Sequence, residues 1–425
     1  MKRTVAILAM LVVSAIAPVT ALAGTADQQA YAGSHVAFDT QSNAVVDYRV
    51  DGEQTIDSVR VQSQSEADSA LGLGGSAGLD AAAGIVGAAL SLDVQTDANA
   101  SLTTESGARI EAHDNGHGSL VVAADDSAQY VALNVSGDGA ERVADDRVVY
   151  QTDGGATASA IVVGEGNVSV TEAGNLTAAL SEDSRLVVRS YTEARTDADA
   201  SEERMIANET AAASVYVMQQ GEETVTDTVT YGQNTTVAVE ERAEGRVNVT
   251  VSRTAHEGRV LITHVSNETF ESAEDVQVAV DGEAAASASS YAELRQAAAG
   301  GDTSKYMVRQ SGDASASADA TVLVGVNHFS TRTVTMTDDA DADDTTDTPT
   351  GTTSTETDSA ETDTSAGDDD SSDGNADDGG AGDGDATDGE SGGAATTSGD
   401  GPGFGGAVAL LALAALTGLA VARHR

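Results

Sequence analysis

Short runs in which apolar and polar residues alternate recur along the middle of this chain. Examples are 45–50 (VVDYRV), 119–123 (SLVVA), 185–191 (RLVVRSY), 224–231 (TVTDTVTY), 246–251 (RVNVTV), 259–264 (RVLITH) and 331–336 (TRTVTM). A period of two in β-branched residues sets one face of a strand on a core and leaves the other to solvent. Gly, Asn and Asp interrupt the runs at Asn115-Gly116, at 136–139 and at 153–155, which is turn chemistry. Many short strands separated by frequent turns predict a mainly β folded region, sandwich- or barrel-like. Helical stretches are few: 198–219 carries Glu, Met and Ala, and 289–299 opens on a Ser cap and stops at Gly300-Gly301. The segment 70–92 is small, apolar and Gly-rich and reads as a buried helix or close-packed stretch. No fixed-period repeat stands out, and a boundary near 195–222 would split the β region in two.

The two ends follow other rules. Lys2 and Arg3 precede an apolar run over 5–19, and Ala21-Leu22-Ala23 has the small-x-small pattern that a signal peptidase cuts. Residues 1–23 are therefore expected to be a signal peptide cleaved after Ala23. The region 24–337 is expected to be the folded ectodomain. From Asp338 to Asp400 there are 21 acidic residues and no Lys or Arg, mixed with Thr, Ser, Gly and Ala. Such a composition buries too little apolar surface to offset its ordering entropy, and its like charges extend it. The expectation for 338–400 is a disordered acidic linker, a stalk.

Charge changes the picture further. The net charge is −48, and losing Lys2 and Arg3 with the leader takes it to −50. Apart from Lys2 and Lys305 every basic side chain other than His is Arg. At low ionic strength this charge repels itself; in about 1 M salt the Debye length falls to ~3 Å and the repulsion is screened. Scarce Lys and abundant Asp point to a halophilic setting. Without a basic patch, nucleic acid is excluded as a partner. The chain has no Cys, which removes thiol nucleophiles, Cys-based zinc sites and iron–sulfur clusters. No cofactor is implied.

The tail 401–425 reads Gly401-Pro402-Gly403-Phe404, then an apolar stretch over 405–422, then Arg423-His424-Arg425. Eighteen apolar or small residues suffice to cross a bilayer core, and the terminal arginines favour a cytoplasmic end. Pro402-Gly403-Phe404 ahead of an apolar helix and a basic terminus resembles the haloarchaeal PGF-CTERM sorting signal, and the acidic Thr-rich linker fits the same pattern. The resemblance implies that an archaeosortase recognises Pro402, Gly403 and Phe404, that the segment from Gly405 is removed, and that the new end receives a lipid. It covers the last 25 residues or so and the linker style, and says where the protein goes rather than what the folded part does.

Asn-x-Ser/Thr occurs at Asn99, Asn134, Asn167, Asn175, Asn208, Asn234, Asn248 and Asn267. Chance would match roughly two or three of the twelve asparagines; eight match, all between leader and linker. As a set they imply a surface offered to an N-glycosylation machinery.

Catalytic candidates are weaker. Gly74–Gly78 fits Gly-x-Ser-x-Gly around Ser76, but that chemistry needs a strand–turn–helix within a parallel α/β sheet, and βαβ alternation is missing. His113 and His117 flank Asp114-Asn115-Gly116, where two imidazoles approaching at a turn suggest a metal, yet no third ligand is identifiable. His256, His264 and His328 read as packing or surface residues. Acidic fragments at 373–378 and 383–385 misplace the Gly and Glu of a calcium loop. The expectation is a non-enzymatic, exported, N-glycosylated surface protein anchored at the outer face of the membrane by a lipid or the tail helix. Its partners would be the cell envelope or S-layer. The alternatives are a surface binding or adhesion module, with a membrane-active role for 70–92, and a secreted hydrolase.

Overall fold

The computed structural model of the chain describes residues 30–337 except 72–78, 80–81, 138, 193, 221–222, 233, 244, 267–268, 271–274 and 311–319. All of them lie in one compact unit. The seven alternating runs fall on strands, to within one residue at their ends. Leader, linker and tail, with Ala23, Pro402, Gly403 and Phe404, lie outside the described residues, as do Ser76 and the calcium-like fragments.

Among the described residues the strands form four sheets. The first has the order Ala30–Ala32, Val36–Gln41, Ala44–Val50, Glu53–Ser63, Gln129–Val135, Leu176–Leu180, Gly166–Val170. The second runs Glu141–Ala144, Arg147–Gln151, Thr157–Val163, Ser184–Tyr191, Leu120–Ala124, Arg109–His113, Asn99–Thr104, Leu90–Gln95. The third runs Glu223–Thr230, Ala211–Gln220, Glu257–Val265, Ala320–His328, Lys305–Gln310, Ala286–Ser287. The fourth runs Thr235–Ala243, Arg246–Arg253, Thr331–Thr337, Gln277–Val280, Glu283–Ala284. The protein is mainly β, and its sheets pack face to face as sandwiches.

Alternation assigns each strand's residues to layers. One core, with Val59, Leu133 and Leu176 from the first sheet and Ile110, Val122 and Leu186 from the second, fills the space between those two. A second core, with Val215, Leu261 and Val324 against Val249, Val334 and Met336, joins the third and fourth sheets. A third cluster lies between the second and third sheets: Val121, Ile161, Val163 and Val187 meet Tyr216, Met218, Ile262 and Leu323. Both faces of the inner sheets are thus covered. All eight residues of Ser184–Tyr191 and the first eight of Ala211–Gln220 are buried. The expectation that one face of 185–191 meets solvent is corrected by this second layer.

The expected helix over 198–219 is also corrected. Only Asp197–Ala207 is helical, started by a capping box in which Thr196 and Asp199 exchange hydrogen bonds with each other's backbone N–H. Beyond it, Ala211–Gln220 is a strand inside the third sheet, where SVYVM alternates and packs on both faces. The 289–299 reading holds: Tyr291–Ala298 is a helix capped by Ser290, and Gly300 follows with φ +98°. This helix lies with its backbone directly on the third sheet. A Cβ on Gly258 would sit 2.2 Å from Ala298 O and 2.5 Å from Val326 O, and one on Gly325 2.6 Å from Leu294 O. Of 70–92, the start belongs to the helix Gln64–Leu71 and the end to the edge strand Leu90–Gln95. Between them Ala82 and Ile85 pack on Tyr130 and Ala132 of the first sheet.

Candidate functional site: a polar seam between two sheets

Part of the second–third interface is polar, and strand register explains why. In the third sheet Asp227 pairs with Tyr216, Tyr216 with His264, His264 with Thr321, and Thr321 with Arg309. Five strands therefore present one cross-sheet row, Asp227–Tyr216–His264–Thr321–Arg309, on the face that meets the second sheet. In the second sheet Arg189 pairs with Ser159 on the corresponding face. His113 and Ser119, at the 114–119 turn, approach the same seam.

The turn fastens the seam at one end. His113 Nδ1 lies 2.9 Å from Asp227 Oδ1, and Asn115 Nδ2 donates to Asp227 Oδ2 at 2.8 Å. Asn115 Oδ1 accepts from His117 N at 3.0 Å, so one buried amide holds both the turn and the partner sheet. The His113 side chain is 6% exposed and the Asp227 side chain 0%. Burial works against a charged His113 imidazole, but the Asp227 carboxylate beside it outweighs this and raises its pKa. Asp114 turns the other way: its carboxylate accepts from the backbone N–H of Ser34, His35 and Val36 at 2.6–2.7 Å.

An aromatic group occupies the middle. The His117 ring lies 5.4 Å from Tyr191, 5.8 Å from Tyr216 and 5.0 Å from His264, and Tyr216 stacks on His264 at 4.6 Å. His264 Nδ1 meets Thr321 Oγ1 at 3.2 Å. Burial, reinforced by the charge of Arg189, holds both His117 and His264 well below the ordinary histidine pKa, so both rings are neutral.

The helix Asp197–Ala207 closes the far end with two buried glutamates. Glu202 accepts from Arg309 Nη1 at 2.6 Å and from Arg189 Nη2 at 3.4 Å. Glu203 accepts from Arg195 Nε at 2.6 Å and Tyr191 Oη at 2.9 Å, with Arg147 Nε at 3.6 Å. Burial raises the Glu202 pKa despite its arginines, whereas the hydrogen bonds from Arg195 and Tyr191 overcome burial at Glu203 and lower it. Alongside, Arg185 Nη1 donates to Thr230 O at 2.7 Å.

The His113–Asp227 pair has the orientation of a general base and its carboxylate, but both side chains are enclosed by the two sheets. Two clefts of about 400 Å³ and 420 Å³ lie elsewhere, on the outer face of the first sheet and beside 306–308, and contain none of the seam's side chains. No three His, Asp or Glu side chains converge as a metal requires among the described residues. His113 and His117 are brought together at the turn, yet one engages a carboxylate and the other aromatic rings. Asp227, Arg189, Glu202 and Glu203 escaped sequence reasoning. A charged residue on an otherwise apolar inner strand, as Arg189 is in RLVVRSY, was the signal available.

The glycosylation candidates lie away from the cores. Asn208 and Asn234 are exposed; Asn99, Asn134, Asn167, Asn175 and Asn248 are half-buried; Asn267 lies outside the described residues. Asn208 Oδ1 accepts from the N–H of Thr210, the hydroxyl residue of its own sequon, at 3.1 Å. Asn134 and Asn175 flank the Leu133–Leu176 pair on adjacent strands and line the same cleft.

No family model matches the chain, and no curated protein does. Among solved structures, a glycoside hydrolase family 81 enzyme from Clostridium thermocellum matches with 8% identity and a TM-score of 0.29. The match covers 57% of this chain and 30% of that one, so the chain spans under a third of that enzyme's length. A likeness at that level carries no argument.

Proposed function

We propose that this chain is an exported, N-glycosylated surface protein, held at the outer face of the membrane through its C-terminal end as a structural or interactive component of an archaeal envelope. The observation that carries the reading is the distribution of its sequons. Eight of twelve asparagines lie in acceptor sequences, and none of the seven described ones is fully buried, although the sheets bury most of their strands. The polar seam accords with it, since the His113–Asp227 and Arg189–Glu202 pairs are enclosed within the fold. The leader and the Pro402-Gly403-Phe404 tail supply the route and the anchor in this reading, and the acidic linker lifts the sandwiches from the membrane.

Intact-mass analysis of the membrane-extracted protein, with glycopeptide mapping, tests all parts together. The expected mass lacks residues 1–23 and the segment from Gly405, and carries a lipid and several glycans. Occupancy should be highest at Asn208 and Asn234. At Asn134 and Asn175 one glycan should exclude the other, because the two share a cleft. A cytosolic chain with both ends intact and no sugar would end the proposal.

A further inference from the structure

Strands of the first sheet send Val131, Leu133, Val168 and Leu176 into the core, which leaves their alternate positions on the outer face. Register sets Ser169, Thr177 and Ala132 in one row across three of these strands. Asn175 and Asn134 take the next facing positions, beside the Leu176–Leu133 pair. All five line the cleft of about 400 Å³, which Leu79 and Ala83 border from outside the sheet. A complete acceptor sequence, Asn175-Leu176-Thr177, therefore lines this cleft, with the acceptor Asn134 and with Ser169, the hydroxyl residue of the Asn167 sequon. Among the described residues the side chains of Asn134, Ser169, Asn175 and Thr177 have no hydrogen-bond partner. Such a set of free amides and hydroxyls over an apolar floor suits a polyhydroxylated ligand.

We propose that Asn175 carries the N-glycan of this face, that its innermost sugars lie in the cleft, and that Asn134 hydrogen-bonds to that glycan instead of being a second acceptor. The inference rests on the N-glycosylation proposed above. Asn175 follows the turn closed by Thr171 N and Asn175 O, at the end of its strand, and its Thr177 hydroxyl is unpartnered. Asn134 lies inside Gln129–Val135, hydrogen-bonded to a strand on each side, and the hydroxyl of its sequon, Ser136, donates to Gln54 O. Only the Asn175 sequon thus has amide and hydroxyl both free at the cleft. In the transfer, Asn175 Nδ2 bonds to the anomeric carbon of a phosphate-linked glycosyl donor, the carbon–oxygen bond to phosphate breaks, and the phosphate leaves with one amide proton. A tethered sugar meets the cleft at high effective concentration, so weak contacts hold it. Its hydroxyls bond to Asn134 and Ser169, and its C–H faces cover Ala132 and Ala83, which water leaves wet. The cleft lies at the lower end of the range for small ligands, about 300–1,000 Å³, which suits the inner sugars and leaves the outer ones in solvent.

Glycopeptide mapping and hydrogen–deuterium exchange on the full-length protein test this, with each variant made in a glycosylating host and in a strain lacking the transferase. Asn175 should be modified and Asn134 bare. In the glycosylating host Asn175→Gln should speed amide exchange across 82–88 and 167–177 by about tenfold, the worth of one or two hydrogen bonds. Asn134→Ala should keep the glycan on Asn175 and show part of the same loss, whereas Asn208→Gln should leave both stretches unchanged. Without the transferase, Asn175→Gln and wild type should exchange alike. The tenfold difference should also separate the two wild-type preparations, which keeps the test decisive where a variant fails to fold. A bare Asn175, or a glycan on Asn134, in a protein modified at Asn208 or Asn234 overturns the inference and leaves the surface-glycoprotein reading standing. An occupied Asn175 whose loss leaves exchange unchanged overturns the seating of the glycan, and a protein without sugar at any sequon ends both readings.

Discussion

At the scale of single residues, the decisive pairs join positions far apart in the chain. Asp227 lies 114 residues from His113 and 112 from Asn115, and both contact its carboxylate. Removing one member of a buried charged pair leaves the other desolvated and unpaired, at a cost of about 3–5 kcal/mol. Asp227→Asn keeps the shape and removes the charge, so it should lower stability by about 3 kcal/mol in urea denaturation with an unchanged m-value. A loss below about 1 kcal/mol would mean that His113 is neutral in the folded protein. His113 and His117 were conspicuous in the sequence as a pair around a turn. Their roles were not legible, because the partners that distinguish them come from another sheet.

At the scale of elements, the alternating runs were readable because period-two patterning is a local consequence of strand geometry. The stretch 198–219 was misread for a physical reason as well. Ala, Glu and Met favour helix, and that preference holds over Asp197–Ala207, but at Ala211–Gln220 two covered faces override it. The placement of Tyr291–Ala298 shows another tertiary requirement, in that its carbonyl oxygens approach the third sheet so closely that only glycine fits beneath them. Gly258→Ala should cost about 1–3 kcal/mol by forcing the helix off the sheet. The loss should appear as a lower denaturation midpoint, with faster amide exchange confined to 291–299. Alanine tolerated at that position with no change in exchange would contradict the contact.

At the scale of the whole molecule, four histidines with opposing shifts act on the pH response. The pKa of His35, raised by its hydrogen bond to Asp51, and that of His113, raised against its burial by the Asp227 carboxylate, add stability that is fully present below the unfolded value of about 6.5 and is lost as pH rises through their folded values. His117 and His264 have depressed values, so below about pH 6.5 the unfolded chain takes up two protons that the folded seam refuses. Stability should therefore peak near pH 6.5 and fall on the acid side with a slope of at most about 2.7 kcal/mol per pH unit, lessened where the raised pKa of Glu202 lets the folded chain take up a proton first. Urea denaturation from pH 5 to 8 at fixed salt measures this directly. A curve that keeps rising from pH 7 down to pH 5 would refute the assignment of two neutral rings. Such a seam also fixes how the two sandwiches meet: apolar faces tolerate sliding, whereas His113 with Asp227 and Glu202 with Arg309 match in one register.

What the sequence determined by itself was the mainly β class, the turns, the capped helix after Ser290, and the acidic composition of the chain, densest over 338–400. Each follows from neighbouring residues: side-chain alternation, backbone freedom at Gly and Asn, or charge density. What only the tertiary structure decided was which strands are covered on both faces, and which polar residues meet. The row Asp227–Tyr216–His264–Thr321–Arg309 draws one residue from each of five strands. It exists only through strand register, a long-range property that no local pattern encodes.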